Sequence, residues 1–318
     1  MPQRRSATAL RRAAEGESSR TILIALFANI VIGIAKLIGG LVSGSTGMLA
    51  EAAHSAADSV NEVFLAVGVY RDRQPPDPAH PFGHGRERFL WAFMAAISSF
   101  LIGGCLSIAM AIAELKARHP LSRGLTAWIV LAVAFTADGT SWLQGVRQAR
   151  RQAKEYKLSI WRYILVSSDP VVRAVVVEDS AALIGLLVAA TGLFLSEIFR
   201  TSVPDSLASL VIGLLLAVTA FGLARPFADF LVGRSVPPLL FEELQAIVQE
   251  DEAVEEVLLL RAIYSGPEEV IVAAKVRPSA HMNIERLTRA MDDLDHKIRL
   301  ALPFVADVFI DITANPTE

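Results

Sequence analysis

One stretch restricts this chain more than any other: Ala50 to Glu62, AEAAHSAADSVNE, which sets five strongly polar side chains inside an otherwise apolar run. In an α-helix of about 100° per residue, taking Glu51 as zero puts Glu62, Asp58, His54 and Asn61 at roughly 20°, 340°, 300° and 280°. All five share one stripe. Each acid or base at bilayer depth costs roughly 2.5 to 3.5 kcal/mol on insertion scales, so such a stripe needs protein, water or an ion in front of it. His54 and Asp58, one turn apart, can offer an imidazole nitrogen and a carboxylate oxygen to one metal ion.

The rest of the chain makes that run a membrane helix. With 318 residues, 53% of them hydrophobic, the composition is too apolar for an ordinary soluble protein. Apolar stretches near Thr21 to Val42, Gly47 to Tyr70, Phe89 to Ile112, Leu125 to Leu143, Val171 to Leu195 and Ser206 to Leu223 are each long enough to cross roughly 30 Å of hydrocarbon. Asn29 and Lys36 in the first, Asp138 in the fourth, and Glu178 and Asp179 in the fifth are expected to face the bundle interior. Lys36 and Asp138 read best as packing or salt-bridge residues. Glu51 and Glu62 read equally as lining access paths or as helix contacts. Cys105 lies in an apolar run, which leaves no internal disulfide and no thiolate cluster for metal.

Charge sets the expected orientation. The 71 to 88 loop carries Arg71, Arg73, Arg86 and Arg88, and the 144 to 163 segment, read as a loop, carries six Lys or Arg residues. The alternate loops carry fewer, so both termini are expected on the cytoplasmic side. Residues 237 to 318 hold 7 basic against 16 acidic residues, a balance that argues against nucleic acid and against docking on anionic lipid. That tail reads as a small α+β domain in the order α-β-β-α-β. Leu239 to Glu250 is helical, Glu256 to Ile263 and Glu269 to Arg277 form a hairpin, Ile284 to Leu302 is a helix capped by Asn283, and Phe304 to Ile312 is a third strand. The expected domains are a cytoplasmic segment over 1–20, a six-helix transport domain over 21–236 and a cytoplasmic domain over 237–318.

The patterns LAEAAHSAADSVNE, DPAHPFGHGRER and VVVEDSAALIG, set in this six-span plus α-β-β-α-β layout, resemble the cation diffusion facilitator family of divalent-metal/proton antiporters. The resemblance implies a homodimer with a ferredoxin-like cytoplasmic domain and one transport site per protomer between spans two and five. Carried over residue by residue, that site is His54 and Asp58 with Asp179. The family usually has a second ligand four residues before this last aspartate, where this chain has Val175. Tetrahedral zinc needs four donors, and Glu178, a water or Asn61 are the candidates for the missing one. His54 with carboxylates and oxygen donors favours harder ions such as manganese or iron(II), with zinc and cobalt also open. Asp77, His80 and His84 fall in the spacing some relatives use for an accessory metal, although shaped-loop hydrogen bonding explains them too. His281, His296 and Asp311 are a looser set, better read as solvated surface groups.

The function expected on this reading is export of a divalent transition metal from the cytoplasm in exchange for protons, through alternating access at a midplane site. The alternative is a non-transporting membrane metal sensor or scaffold. An intramembrane metalloenzyme is disfavoured, because no His-Glu-x-x-His run or G-x-S-x-G elbow is present. The expected partners are divalent metal ions, protons, the lipid bilayer and a second copy of the chain. The host membrane is expected to be a bacterial cytoplasmic membrane, since nothing resembles an organelle-targeting peptide.

Overall fold

The computed structural model describes residues 26–27, 29–117, 125–155, 159–161, 170–267, 269–279 and 282–313, with the side chains of α5 described from Val176 onward. Among the described residues six long helices come first: α1 (Asn29–Ser43), α2 (Thr46–Arg71), α3 (Glu87–Ala117), α4 (Leu125–Glu155), α5 (Pro170–Phe199) and α6 (Val203–Val232). Four of them, α3 to α6, contain stretches long and apolar enough to cross a membrane. Within the described residues α1 is a shorter apolar helix, and α2 is long enough at 26 residues but is set apart by its polar stripe. Then follow α7 (Pro238–Gln249), β1 (Val254–Gly266), β2 (Glu269–Pro278), α8 (Ile284–Ala301) and β3 (Val305–Ile312). This is the predicted class, a helical membrane protein with a small α+β unit after it.

The chain divides into two compact units, one of residues 1–70 and 90–227, the other of residues 71–89 and 228–318. In the first, α1 ends at Gly44, whose positive φ of 71° suits a residue without a Cβ and lets its N–H reach the Gly40 carbonyl at 2.8 Å. Ser45 then caps α2, its Oγ accepting from the Met48 N–H at 3.2 Å. The same turn is tied to α6 by Asp205. Its carboxylate accepts from Ser45 Oγ at 2.7 Å, Thr46 Oγ1 at 2.9 Å and the Gly47 N–H at 3.1 Å, all buried.

Helices α3 and α6 approach closely through glycines. Residues Ser99–Cys105 of α3 form a π-helical segment, and a Cβ on Gly104 would stand 3.2 Å from the Ala217 backbone. On the facing helix, a Cβ on Gly213 would stand 2.9 Å from the Ile108 nitrogen. The unit's apolar core is built largely of alanine and leucine, with Met48, Ala127, Leu131, Leu186, Ile212 and Leu216 among its members.

Helix α4 corrects the expected loop at 144–163. Its hydropathy falls after Leu143, but its helical bonding runs on to Glu155, because Val146, Ala149 and Ala153 recur on one face and pack with Val176 of α5. Its basic residues Arg147, Arg150, Arg151 and Lys154 are therefore helical, while Lys157 and Arg162 lie outside the described residues.

In the second unit β2 is the central strand, antiparallel to β1 and parallel to β3, with α8 making the crossover. Asn283 caps α8 as predicted, its side chain accepting from the Arg286 N–H at 2.9 Å. Leu244, Val248, Leu294 and Ile298 cover the sheet's apolar face against Val270, Val272, Ala274 and Val276. The hairpin strand β1 continues through Gly266, beyond its predicted end at Ile263, since Tyr264 and Ser265 are buried and Tyr264 pairs with Val270.

The 71–89 loop belongs to this unit. Phe89 stacks on Phe230 at 4.7 Å, Phe230 meets Tyr264 edge-on at 5.3 Å, and Phe82 meets Phe309 at 6.0 Å. Gly85 lies so close to β1 that a Cβ would stand 2.6 Å from the Ser265 carbonyl oxygen. Because that neighbour is backbone, Gly85→Ala is expected to cost about 1–3 kcal/mol, the usual range for overpacking. Faster amide exchange across 77–87 in the full chain checks this, and unchanged exchange would refute it.

Candidate metal centres

The polar stripe of α2 lies inside the first unit. His54 Nε2 is 3.2 Å from Asp58 Oδ2, so the residues predicted as a pair do meet. The two acids of α5 diverge. Glu178 turns to α2, where Asn61 Nδ2 donates to its Oε1 at 2.8 Å, and Asn61 Oδ1 in turn accepts from Ser98 Oγ of α3 at 3.3 Å. Asp179 turns to α4, accepting from Ser141 Oγ at 2.8 Å. Ser180 beside it accepts from Trp142 Nε1 at 2.8 Å. Further along the stripe, Asn29 Nδ2 of α1 donates to Glu62 Oε1 at 2.8 Å. The Val175 side chain lies outside the described residues.

Four atoms on this stripe are buried without a hydrogen-bond partner: Glu51 Oε1, His54 Nδ1, Asp58 Oδ1 and Glu62 Oε2. Buried polar atoms are nearly always partnered in folded proteins, so a column of unpaired acceptors and imidazole nitrogen is a place that can take up cations. One imidazole and several carboxylates suit a divalent transition-metal ion, and each can hold a proton instead. His54, Asp58, Glu178 and Asp179 contribute no set of three donors within 4.8 Å of one another among the described residues. Lys36 of α1 bridges Glu51 and Asp138 of α4, its Nζ 3.2 Å from each, which places both predicted salt-bridge residues in one network.

The described residues do bring together one such set, in the loop of the second unit: Asp77, His80 and His84. Asp77 closes a turn, its Oδ1 accepting from the N–H groups of Ala79 at 2.8 Å and His80 at 2.7 Å. The His80 and His84 rings are 4.2 Å apart. His84 Nε2 is 3.1 Å from Asp77 Oδ2, while its Nδ1 is 2.7 Å from Glu87 Oε1. Arg71 holds the other Glu87 oxygen at 3.2 Å. A carboxylate behind an imidazole orients the ring and raises its basicity, a common arrangement behind metal-binding histidines.

These contacts shift both groups. The His80 N–H, and after it His84, hold the Asp77 carboxyl down to about 2. Glu87, and after it Asp77, raise the His84 pKa above its ordinary 6.5. The His84 contribution to the metal-free loop is thus complete below pH 6.5 and is lost as pH rises through the raised value. The Asp77 contribution is present above 3.8 and is lost as pH falls towards about 2. Amide protection across 77–87, corrected for intrinsic exchange, is therefore expected to fall in metal-free protein as pH rises above 6.5 through the raised His84 value. Added zinc is expected to restore it at the upper end. Protection that rises with pH in metal-free protein would contradict this.

In the tail, His281 lies outside the described residues and Asp311 pairs with Lys275 at 3.7 Å. The described residues supply no further set of three donors there. Sequence reasoning missed Ser141 and Trp142. Their only signal is that they follow Asp138 on a helix with intramembrane polar groups.

Residues 22–232 match the family model for the cation efflux transmembrane domain. The chain belongs to the cation efflux family, the cation diffusion facilitators. The family is one of membrane transporters of metal cations. Among similar proteins are the mitochondrial proton-coupled zinc antiporters SLC30A9 of Xenopus laevis and Homo sapiens. The first is 30% identical over 257 residues, which are 81% of this chain and 46% of the relative. The second is 29% identical over 266 residues, 84% of this chain and 46% of the relative. The chain thus spans about half the length of these two. The manganese efflux system protein MneP of Bacillus subtilis is 26% identical over 249 residues, 78% of this chain and 80% of the relative.

Proposed function

We propose that this chain exports a divalent transition-metal ion from the cytoplasm in exchange for protons. The metal is the substrate, bound near the bilayer midplane by His54, Asp58 and Asp179, with Glu178 as the fourth donor. The observation that carries the reading is the column of buried, unpartnered atoms on α2, from Glu51 Oε1 to Glu62 Oε2, beside the acids of α5. A dication satisfies His54 Nδ1 or Nε2 and the carboxylates in their unprotonated forms, and protons satisfy them in its absence. Metal and protons therefore compete for the same atoms, and alternating exposure of the site converts that competition into exchange.

Drawing Asp179 from Ser141 and Glu178 from Asn61 towards His54 and Asp58 closes the site around the ion. Residues 21–236 carry transport, and residues 237–318 form a cytoplasmic domain that pairs two copies of the chain. The accessory loop set of Asp77, His80 and His84 holds a second dication. Both termini face the cytoplasm, and a bacterial inner membrane is the host. Zinc and manganese are the ions to compare first, since similar proteins are named for both.

The test is uptake of zinc, manganese, iron(II) and cobalt into proteoliposomes carrying the full chain, with and without an imposed pH gradient at fixed voltage. Faster uptake of at least one metal with the gradient is expected. Equal uptake with and without it removes the proton coupling. Tight binding with no uptake makes the chain a sensor.

A further inference from the structure

We propose that Lys36, Glu51 and Asp138 form the gate that closes the transport path on the side of the Ser43–Thr46 turn; this rests on the transport reading above. The network joins three helices. Lys36 Nζ of α1 stands 3.2 Å from Glu51 Oε2 of α2 and 3.2 Å from Asp138 Oδ2 of α4. Its position along the bundle is fixed twice over. At about 1.5 Å per residue, Glu51 lies about one turn from His54 towards the Ser43–Thr46 turn, and Asp138 lies about one turn from Ser141, the partner of Asp179. The gate is therefore one layer removed from the proposed metal site on both helices.

Exposure falls along α2 towards the network. The Asp58 side chain is 22% exposed, His54 2% and Glu51 0%, and of the other two network members Lys36 is 1% and Asp138 13% exposed. A carboxylate at this depth is stable when it faces water rather than lipid, and on the proposed reading the exposed side of Asp58 is the water-filled side of the path. Beyond the network, the turn itself is held by Asp205. From the network to the turn, Lys36, Glu51, Ser43, Ser45 and Thr46 are all buried.

A network of this kind has little reason to exist as a brace, because well-packed apolar residues of similar volume stabilise a buried position as well or better. Its chemistry suits a switch. Glu51 Oε1 has no partner although the side chain is fully buried. That oxygen lies against Gly185 of α5, where a Cβ would stand 2.3 Å from it. An unused acceptor gives Lys36 a second place to bind when Asp138 withdraws. The contact with Gly185 links the gate to the helix that carries Glu178 and Asp179. Movement of α5 as those acids close on a metal thus shifts the surface that confines Glu51.

The gate can be stapled without touching its charges. A Cβ on Gly39 would stand 3.5 Å from Val130 Cβ, within the range of a disulfide, with only the flexible Met48 methyl to displace. In a Cys105→Ser background, oxidised Gly39→Cys/Val130→Cys in proteoliposomes is expected to carry zinc and manganese at a tenth or less of the reduced rate. Metal affinity by equilibrium dialysis should stay within twofold. Equal flux in the two redox states overturns the proposal. The second arm needs no metal. Lys36→Met, assayed as the monodisperse folded species, is expected to raise proton leak into metal-free vesicles at least fivefold over the Lys36 chain, and equal leak overturns the gate. A Cys105→Ser chain that moves neither ion defeats the transport reading instead, and the leak comparison then decides the gate alone.

Discussion

Asp58→Ala and Asp179→Ala are each expected to reduce metal flux in proteoliposomes by at least ~100-fold. That exceeds the roughly 10–100-fold attached to residues one shell behind a metal. Asp58 is the carboxylate already in contact with His54, at 3.2 Å, and its Oδ1 is buried and unpartnered. Asp179 accepts from one hydroxyl, Ser141, and on the proposed reading it exchanges that bond for the ion. Ser141→Ala is then expected to have the opposite sign on affinity from the aspartate variants, binding metal more tightly because Asp179 gives up nothing to join the site. Isothermal titration of the three purified variants separates these outcomes. Wild-type affinity in Asp179→Ala would place the site elsewhere on the α2 stripe.

The largest expected loss of stability lies away from the metal. Asp205→Ala strands the Ser45 and Thr46 hydroxyls and the Gly47 N–H, all of which now donate to one carboxylate. Each buried donor left unmade costs about 1–3 kcal/mol, and because the three share one acceptor their costs do not simply add. A total of about 4 kcal/mol is expected, with Asp205→Asn losing less than half of it because one oxygen remains. Thermal unfolding in detergent measures this, and a shift no larger for Ala than for Asn would show that the turn is held by other contacts. Gly47 limits the repair, since a Cβ there would stand 2.9 Å from Asp205 Oδ1.

The periodicities that define elements were readable from sequence because they are local. The α2 stripe put His54 and Asp58 one turn apart, and their contact followed from helix geometry alone. The ends of α2, α5 and α8, and the Asn283 cap, fell within a few residues of expectation for the same reason. Contacts that depend on helix rotation were not readable. Nothing local to VVVEDS says that Glu178 turns to Asn61 while Asp179 turns to Ser141, because neighbouring residues differ by about 100° and packing selects between the directions. The helical run of α4 beyond Leu143 was hidden because hydropathy marks where a helix leaves apolar surroundings, not where its hydrogen bonds end. The π-helical segment at Ser99–Cys105 has its glycines as a signal, but glycine pairs are equally common in plain helix contacts.

The second compact unit is assembled from two separated pieces of chain, residues 71–89 and 228–318. This gives its folding a timetable. The loop bearing Asp77, His80 and His84 is made early, whereas Ser265, which confines Gly85, and Phe309, which meets Phe82, are made late. At about 5–20 residues per second, the loop waits roughly 10 to 45 s for Phe309 to be synthesised. During that interval Asp77, with its backbone turn, and the two histidines are present without the surface that later fixes them. A nascent chain stalled before β3 should therefore show a protease-sensitive 71–89 segment that becomes resistant once β3 has emerged.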